Sequence, residues 1–275
     1  MRDLSRNWRG RGLRVGLVPT MGNLHAGHLT LVESLAGAVD RLVVSIFVNP
    51  LQFGAGEDYE SYPRTLEADR RALSAYPVDA LFAPGAQEMY PHGEPVTVID
   101  LPALTGTLCG AARPGHFAGV ALVVAKLFHI VEPDEAAFGA KDYQQLQVVR
   151  RLTADLDLPV EVVAVPTVRE PDGLAMSSRN HYLTPAERET APALYETLRG
   201  VARELRAGRR EYAALEREAA ALLQEHGFDE VDYVAVRRPG DLAPPAGGEP
   251  RLVCLAAARL GAARLIDNLE VDLNP

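Results

Sequence analysis

Short apolar runs alternate with amphipathic stretches along the first two-thirds of this chain. Residues 13–18 read as a buried strand that stops at Pro19, and a helical pattern from about Gly27 sets Leu31, Leu35 and Val39 on one face. Residues 41–48 (Arg-Leu-Val-Val-Ser-Ile-Phe-Val) form a second buried strand, and 64–75 a helix exposed on one side. A short strand at 80–83 is closed by Pro84. A mostly buried helix over 119–131 carries Lys126. Residues 135–138 are strand-like, 142–156 a helix with Leu146, Val149 and Leu152 inward, and 159–168 a last strand.

After about residue 175 the pattern changes. Thr184-Pro185-Ala186-Glu187 is a helix start, with a threonine cap, proline at the first position and glutamate at the third. Two helices rich in Ala, Leu, Glu and Arg run to about His226, and strand-like runs follow at 231–238, 252–257 and 264–269. Residues 244–248, Pro-Pro-Ala-Gly-Gly, mark an exposed loop. Near-continuous apolar strands alternating with helices predict an α/β fold, a Rossmann-like parallel sheet with helices on both faces, over residues 1–175. Helices first and strands afterwards predict a smaller α+β C-terminal domain over 176–275. No internal repeat is visible.

Composition narrows the function. Among 275 residues, 28 Lys and Arg against 37 Asp and Glu give a net charge of −9, which discourages broad nucleic-acid binding. The two cysteines, Cys109 and Cys254, lie far apart, so neither a disulfide framework nor a structural zinc site is expected. The N-terminus lacks a long apolar segment, and no stretch approaches the length of a membrane span. A cytoplasmic protein without membrane partners is expected.

Candidate chemistry gathers where strands give way to helices, the carboxyl edge at which such sheets bind ligands. Met21-Gly22-Asn23-Leu24-His25-Ala26-Gly27-His28 delivers two imidazoles to a helix N-terminus, where N–H groups and the helix dipole favour anions. Asn49 and Gln52 bring amides suited to a small polar substrate, and the long connection to Pro63 suits a binding loop. Arg113 and His116 offer a cation and an imidazole before the next helix. Lys141 can set a point charge on a phosphate, Asp142 can cap the following helix, and Gln144 or Gln145 can turn an amide toward a pocket. Met176-Ser177-Ser178-Arg179 offers two hydroxyls and a guanidinium to a phosphate chain, or a serine cap to a helix. Taken singly, each segment also suits a surface turn.

Together, in this order and spacing, they resemble the pantoate–β-alanine ligase family, nucleotidylyltransferase relatives with HIGH-type and KMSKS-type signatures. The resemblance runs from about Leu13 onward. It implies a two-step reaction: ATP and pantoate give a pantoyl-adenylate and pyrophosphate, and β-alanine then displaces AMP to form pantothenate. Magnesium would accompany ATP, and the protein would be a homodimer. By the same resemblance, Met21, Gly22, Asn23, Leu24, His25, Ala26, Gly27 and His28 contact ATP, with His28 as proton donor and His25 and Lys141 assisting. Gly139, Ala140, Lys141, Asp142 and Val168 also contact the nucleotide, and Met176, Ser177, Ser178 and Arg179 cover the phosphates. Gln52 binds pantoate and faces the β-alanine position. Gln145 binds pantoate, and Asn49 and His116 complete the substrate contacts. No dedicated metal site is implied, and Asp69 is a weak candidate for placing magnesium.

Two departures stand out. The segment before Leu13 is shorter and more Arg-rich than the family's leading helical segment, which leaves the packing of that edge open. Ala118 stands where a charged residue is common. The rival enzymatic reading, a nucleotidyltransferase acting on a phosphorylated acceptor, is disfavoured by the amides Asn49, Gln52 and Gln145. An aminoacyl-tRNA synthetase is disfavoured by the short acidic chain. An inactive nucleotide-binding protein is disfavoured by the intact histidine, lysine and Ser-Ser-Arg elements.

Overall fold

Strands β1 (Val15–Thr20), β2 (Arg41–Ile46), β3 (Ala80–Phe82), β4 (Glu135–Gly139) and β5 (Glu161–Val165) pair in parallel in the computed structural model, in the order β3-β2-β1-β4-β5. Successive residues Leu17, Val18, Val43 and Val44 are all fully buried, so both faces of the sheet are covered. The strand order reverses between β1 and β4, which makes the carboxyl ends of these two neighbours the natural ligand edge.

The structure describes residues 1–54 and 56–274, in two compact units. The first comprises Met1–Gly106, Arg113–Ala140 and Gln145–Pro166; the second comprises Thr107–Ala112, Lys141–Gln144 and Thr167–Pro275. Residues 167–175, assigned to the first domain from sequence, thus group with the second unit. An Arg169–Asp267 fork ties them there, with N–O distances of 2.6 and 3.0 Å.

The helices are α1 (Arg2–Gly10), α2 (Ala26–Leu35), α3 (Leu66–Leu73), α4 (Ala86–Met89), α5 (Pro102–Thr105), α6 (Leu108–Ala112), α7 (His116–Val131) and α8 (Tyr143–Asp155). On one sheet face, Val18, Leu42, Val44 and Ala137 pack against Leu31, Val32 and Leu35 of α2 and Leu73 of α3. Strand β1 does not stop at Pro19. It runs one residue further with Pro19 beside Ser45, because a single lost ladder donor near a strand end is tolerated. Helix α2 ends at Leu35, so Val39 reaches the same core from the following turn rather than from the helix. The Arg-rich leader forms α1, and its edge is closed by Arg6–Glu132 and Arg9–Asp134 pairs at 3.0 and 2.8 Å, with Trp8 buried beneath. Helix α7 starts three residues earlier than the apolar pattern shows, after Gly115 at φ 83°.

In the second unit, α9 (Pro185–Thr190), α10 (Ala193–Arg206) and α11 (Tyr212–Glu225) precede an antiparallel sheet of β6 (Glu230–Arg237), β7 (Arg251–Leu260) and β8 (Ala263–Asp272). Thr184 caps α9, and Glu187 answers with its carboxylate on the Thr184 N–H, the reciprocal box read from the sequence. Leu198, Leu205 and Leu223 close the core against Leu252, Cys254 and Ala256.

Candidate active site

The histidine turn is built by backbone strain and one buried carboxylate. After β1, Gly22 and Asn23 both take the left-handed conformation, at φ 82° and 53°. A side chain at residue 22 would press on Ile46 and Asp69 at 3.0 and 3.1 Å, so only glycine fits without adjustment. Asp69, on α3 and 2% exposed, accepts the N–H groups of Asn23 and Leu24 at 3.1 and 2.8 Å and the Thr65 hydroxyl at 3.1 Å. These contacts weigh against Asp69, only a weak candidate from the sequence, as a group that places magnesium. Its oxygens are spent on holding the turn, and among the described residues no group of three or more His, Cys, Asp or Glu is arranged to hold a metal.

His25 caps α2. Its Nδ1 accepts the Gly27 N–H at 3.1 Å, and His28 Nδ1 accepts the His25 N–H at 3.4 Å. An imidazole nitrogen that accepts a backbone N–H carries no proton, so in both neutral rings the proton sits on Nε2. The two half-buried rings lie 4.1 Å apart, centroid to centroid. The turn thus holds two Nε2–H donors beside a helix N-terminus. Gly139 ends the neighbouring β4, and no heavy atom would lie within 4 Å of a Cβ built on it.

Following β2, Asn49 is 1% exposed and saturated. Its Nδ2 donates to Gln52 Oε1 and to the Gly119 carbonyl, both at 3.1 Å. Its Oδ1 accepts the Leu51 N–H at 3.3 Å and the Tyr90 hydroxyl at 2.7 Å. Gln52 turns its Nε2 toward Met21 Sδ, 3.0 Å away. The sequence led us to expect Asn49 as a substrate contact; its side chain instead orients Gln52 and joins the loop to α7.

His116 differs from expectation in the same way. Its Nδ1–H donates to the Gln52 carbonyl at 2.7 Å, and its Nε2 accepts from Arg113 at 3.1 Å. Nδ1 therefore braces the Gln52 backbone, while Nε2 is engaged by Arg113. Arg113 forks onto Glu57 at 2.6 and 2.5 Å. Burial alone would raise the Glu57 carboxyl, but the Arg113 hydrogen bonds and charge, with the Gly54 N–H, hold it below its ordinary value of 4.5.

The second unit carries the other expected residues. Lys141 Nζ lies 3.7 Å from Asp142 Oδ2, and the Lys141 carbonyl accepts Asn268 Nδ2 at 2.9 Å. Asp267, next on β8, takes the Arg169 fork. Burial raises this carboxyl, while Arg169, the Asn268 N–H and the Lys141 charge act against the rise. Residues Asp267 and Asn268 therefore anchor both the Lys141 turn and the Val168–Met176 turn, where Met176 N–H donates to the Val168 carbonyl at 2.9 Å. Ser177 caps a short 3₁₀ turn (Ser178–Tyr182) by accepting the Arg179 N–H at 3.2 Å, the capped start that the sequence also allowed. Gln144 is buried and holds the Cys109 N–H and the Thr107 carbonyl, at 2.9 and 2.8 Å. Of the two glutamines, that leaves the half-buried Gln145, on the first unit, as the ligand candidate.

Sequence reasoning missed Tyr90, Glu57 and the true task of Asp69. Only Asp69 left a signal: it falls one turn before the buried Leu73 on the inward face of its helix, where a carboxylate needs partners.

A family model described as pantoate-β-alanine ligase matches residues 1–270. The chain is 69% identical to the pantothenate synthetase of Halorhodospira halophila over 274 residues, covering 99% of this chain and 96% of that one. It is 59% identical to the pantothenate synthetase of Alkalilimnicola ehrlichii, over 100% of this chain and 96% of the relative. Among solved structures, pantothenate synthetase from Thermus thermophilus superposes with a TM-score of 0.89 at 50% identity, covering 95% of this chain and 94% of that chain. The pantoate-β-alanine ligase from Francisella tularensis, solved with β,γ-ATP and β-alanine, gives 0.80 at 33% identity, covering 97% and 94%.

Proposed function

The chain belongs to the pantoate–β-alanine ligase family and condenses pantoate with β-alanine using ATP, and from that premise we propose how its residues divide the work. Pantoate carboxylate attacks the α-phosphorus of ATP, forming the acyl-adenylate and expelling pyrophosphate. The β-alanine amine then attacks the activated carbonyl, forming the amide and expelling AMP. The observation that carries this reading is the locked histidine pair: both Nδ1 atoms accept backbone N–H groups, so both rings point donors, not lone pairs, from Nε2.

Such donors suit the charge that develops on a departing pyrophosphate. His28 is the donor to the leaving group, with His25 beside it. The backbone of Met21, Gly22, Asn23, Leu24, Ala26 and Gly27 lines the phosphates at the helix start. Gly139 and Ala140 let the nucleotide approach the end of β4. Lys141 supplies a point charge, Asp142 and Val168 complete the nucleotide contacts, and Met176, Ser177, Ser178 and Arg179 cover the phosphate chain. Gln52 holds pantoate and faces β-alanine, and Gln145 holds pantoate. Magnesium enters with ATP, because phosphate oxygens and water meet most of its coordination and the one suspected protein ligand, Asp69, is already committed.

We place the reaction in the cytoplasm; no helix among the described residues is long and apolar enough to cross a membrane. The working form is a homodimer. Residues 96–99, Val-Thr-Val-Ile, belong to no strand of either sheet and expose Val96 and Val98 by 99% and 72%. An apolar segment of this kind, rich in β-branched residues, is suited to pairing with its copy across a two-fold axis.

The test is pyrophosphate release from ATP, with pantoate, with pantoate plus β-alanine, and with a phosphorylated acceptor in place of pantoate. Release dependent on pantoate, with AMP turnover dependent on β-alanine, is the expected result. Release driven by the phosphorylated acceptor would replace the reading with a different nucleotidyl transfer.

A further inference from the structure

Two backbone groups decide which way the Asn49 amide faces. The Leu51 N–H can only donate and the Gly119 carbonyl can only accept, so Oδ1 must face Leu51 and Nδ2 must face Gly119. The second Nδ2 proton then meets Gln52, whose near atom has to be Oε1. This leaves the Gln52 Nε2 pointing away, toward the weakly accepting Met21 sulfur. Tyr90 closes the arrangement: its hydroxyl lies 2.7 Å from Asn49 Oδ1, which cannot donate, so the phenol must.

We propose that Tyr90 is a positioning residue for pantoate binding, acting through Asn49 to hold Gln52 with its N–H donors presented to the substrate's oxygens. This rests on the reading that Gln52 holds pantoate, and it adds the direction of the contact: the protein donates and the hydroxy-acid accepts. The ring is held for the task. Phe47 lies 6.0 Å away, centroid to centroid, and the Lys126 ammonium stands 5.6 Å from the Tyr90 centroid. Burial pushes the phenol up to about 12, which keeps it protonated and able to donate at neutral pH.

The experiment is a double-mutant cycle on the KM for pantoate, using the full chain and variants Tyr90→Phe, Gln52→Ala and the pair, with Tm recorded for each. Tyr90→Phe keeps the ring and its packing. In the wild-type background it should raise the KM for pantoate about 3- to 10-fold, the worth of one hydrogen bond, with kcat and the KM for ATP within about twofold. In the Gln52→Ala background the same change should do nothing further, which a merely structural role would not produce. Equal effects of Tyr90→Phe in both backgrounds, or none in the wild type, would overturn the relay while leaving Gln52 in the site. An unchanged KM in Gln52→Ala would remove Gln52 from the site, and the relay with it.

Discussion

At the scale of single residues, chemistry here is set by what each polar atom has already been given to hold. His25 and His28 spend Nδ1 on the backbone and keep the proton on Nε2, whereas His116 spends both nitrogens on Gln52 and Arg113. Three histidines at turns look alike in a sequence, and only their partners separate two donors from a brace. For the same reason Asn49 was legible as an amide near the site but not as a saturated hub, since Tyr90 and Gly119 stand 41 and 70 residues away. The donor roles lead to a direct expectation. His28→Ala and Lys141→Ala should each slow pantoate-dependent pyrophosphate release by about 10²-fold or more in a single turnover, roughly 3 kcal/mol for one electrostatic contact to the transition state. Tm should change little for Lys141→Ala, whose ion pair with Asp142 is a loose 3.7 Å contact. Near-normal rates in both variants would strip these residues of their roles.

Among the elements, strands and long helices were readable from periodicity, while the pieces that carry Gln52 were not. The 3₁₀ turn Pro50–Gln52 lies so close to α7 that a Cβ on Gly119 would stand 2.2 Å from the Leu51 carbonyl oxygen. That approach depends on a glycine in an otherwise apolar helix, which periodicity treats as neutral. The loop beyond it was read as long enough to bind something; Ala55 lies outside the described residues. Arg64 donates to the carbonyls of Tyr59, Glu60 and Tyr62, and Glu57 forks with Arg113, so the loop is held by two arginines at its far end and across from α7. Because the folded Glu57 carboxyl titrates below its ordinary 4.5, its contribution is fully present above that value and fades as pH falls through the folded one. Amide protection factors in residues 56–62, followed from about pH 6 to about pH 3, should therefore fall toward the acid end by more than those of the β-sheet. In Glu57→Gln the loop should exchange faster at neutral pH and respond less to acid. Matching profiles for the two proteins would mean that the fork does not hold the loop.

For the molecule as a whole, the residues proposed for the reaction are distributed over both units: His25, His28, Gln52 and Gln145 belong to the first, Lys141 and residues 176–179 to the second. The alternating pattern gave away the parallel sheet, and the change of pattern after residue 175 gave away a second unit. That residues 167–175 group with this unit was hidden, because a contact that fixes them there, Arg169 with Asp267, spans 98 residues. The proposed dimer turns on a feature that periodicity also passes over, the run Val-Thr-Val-Ile at 96–99. Two such segments pairing antiparallel would satisfy their backbone groups and cover Val96 and Val98, burying side chains worth about 1.5–3 kcal/mol each when fully covered. Four valines across a two-fold axis are enough to matter, and their removal should be visible without disturbing either unit's core. Val96→Lys with Val98→Lys places like charges face to face across that axis, so sedimentation velocity at micromolar concentration should change from dimer to monomer while Tm of the chain stays close to the parent's. A variant that sediments as the parent does would show that the copies meet elsewhere, and a parent that is itself monomeric would leave the segment without a partner of its own kind.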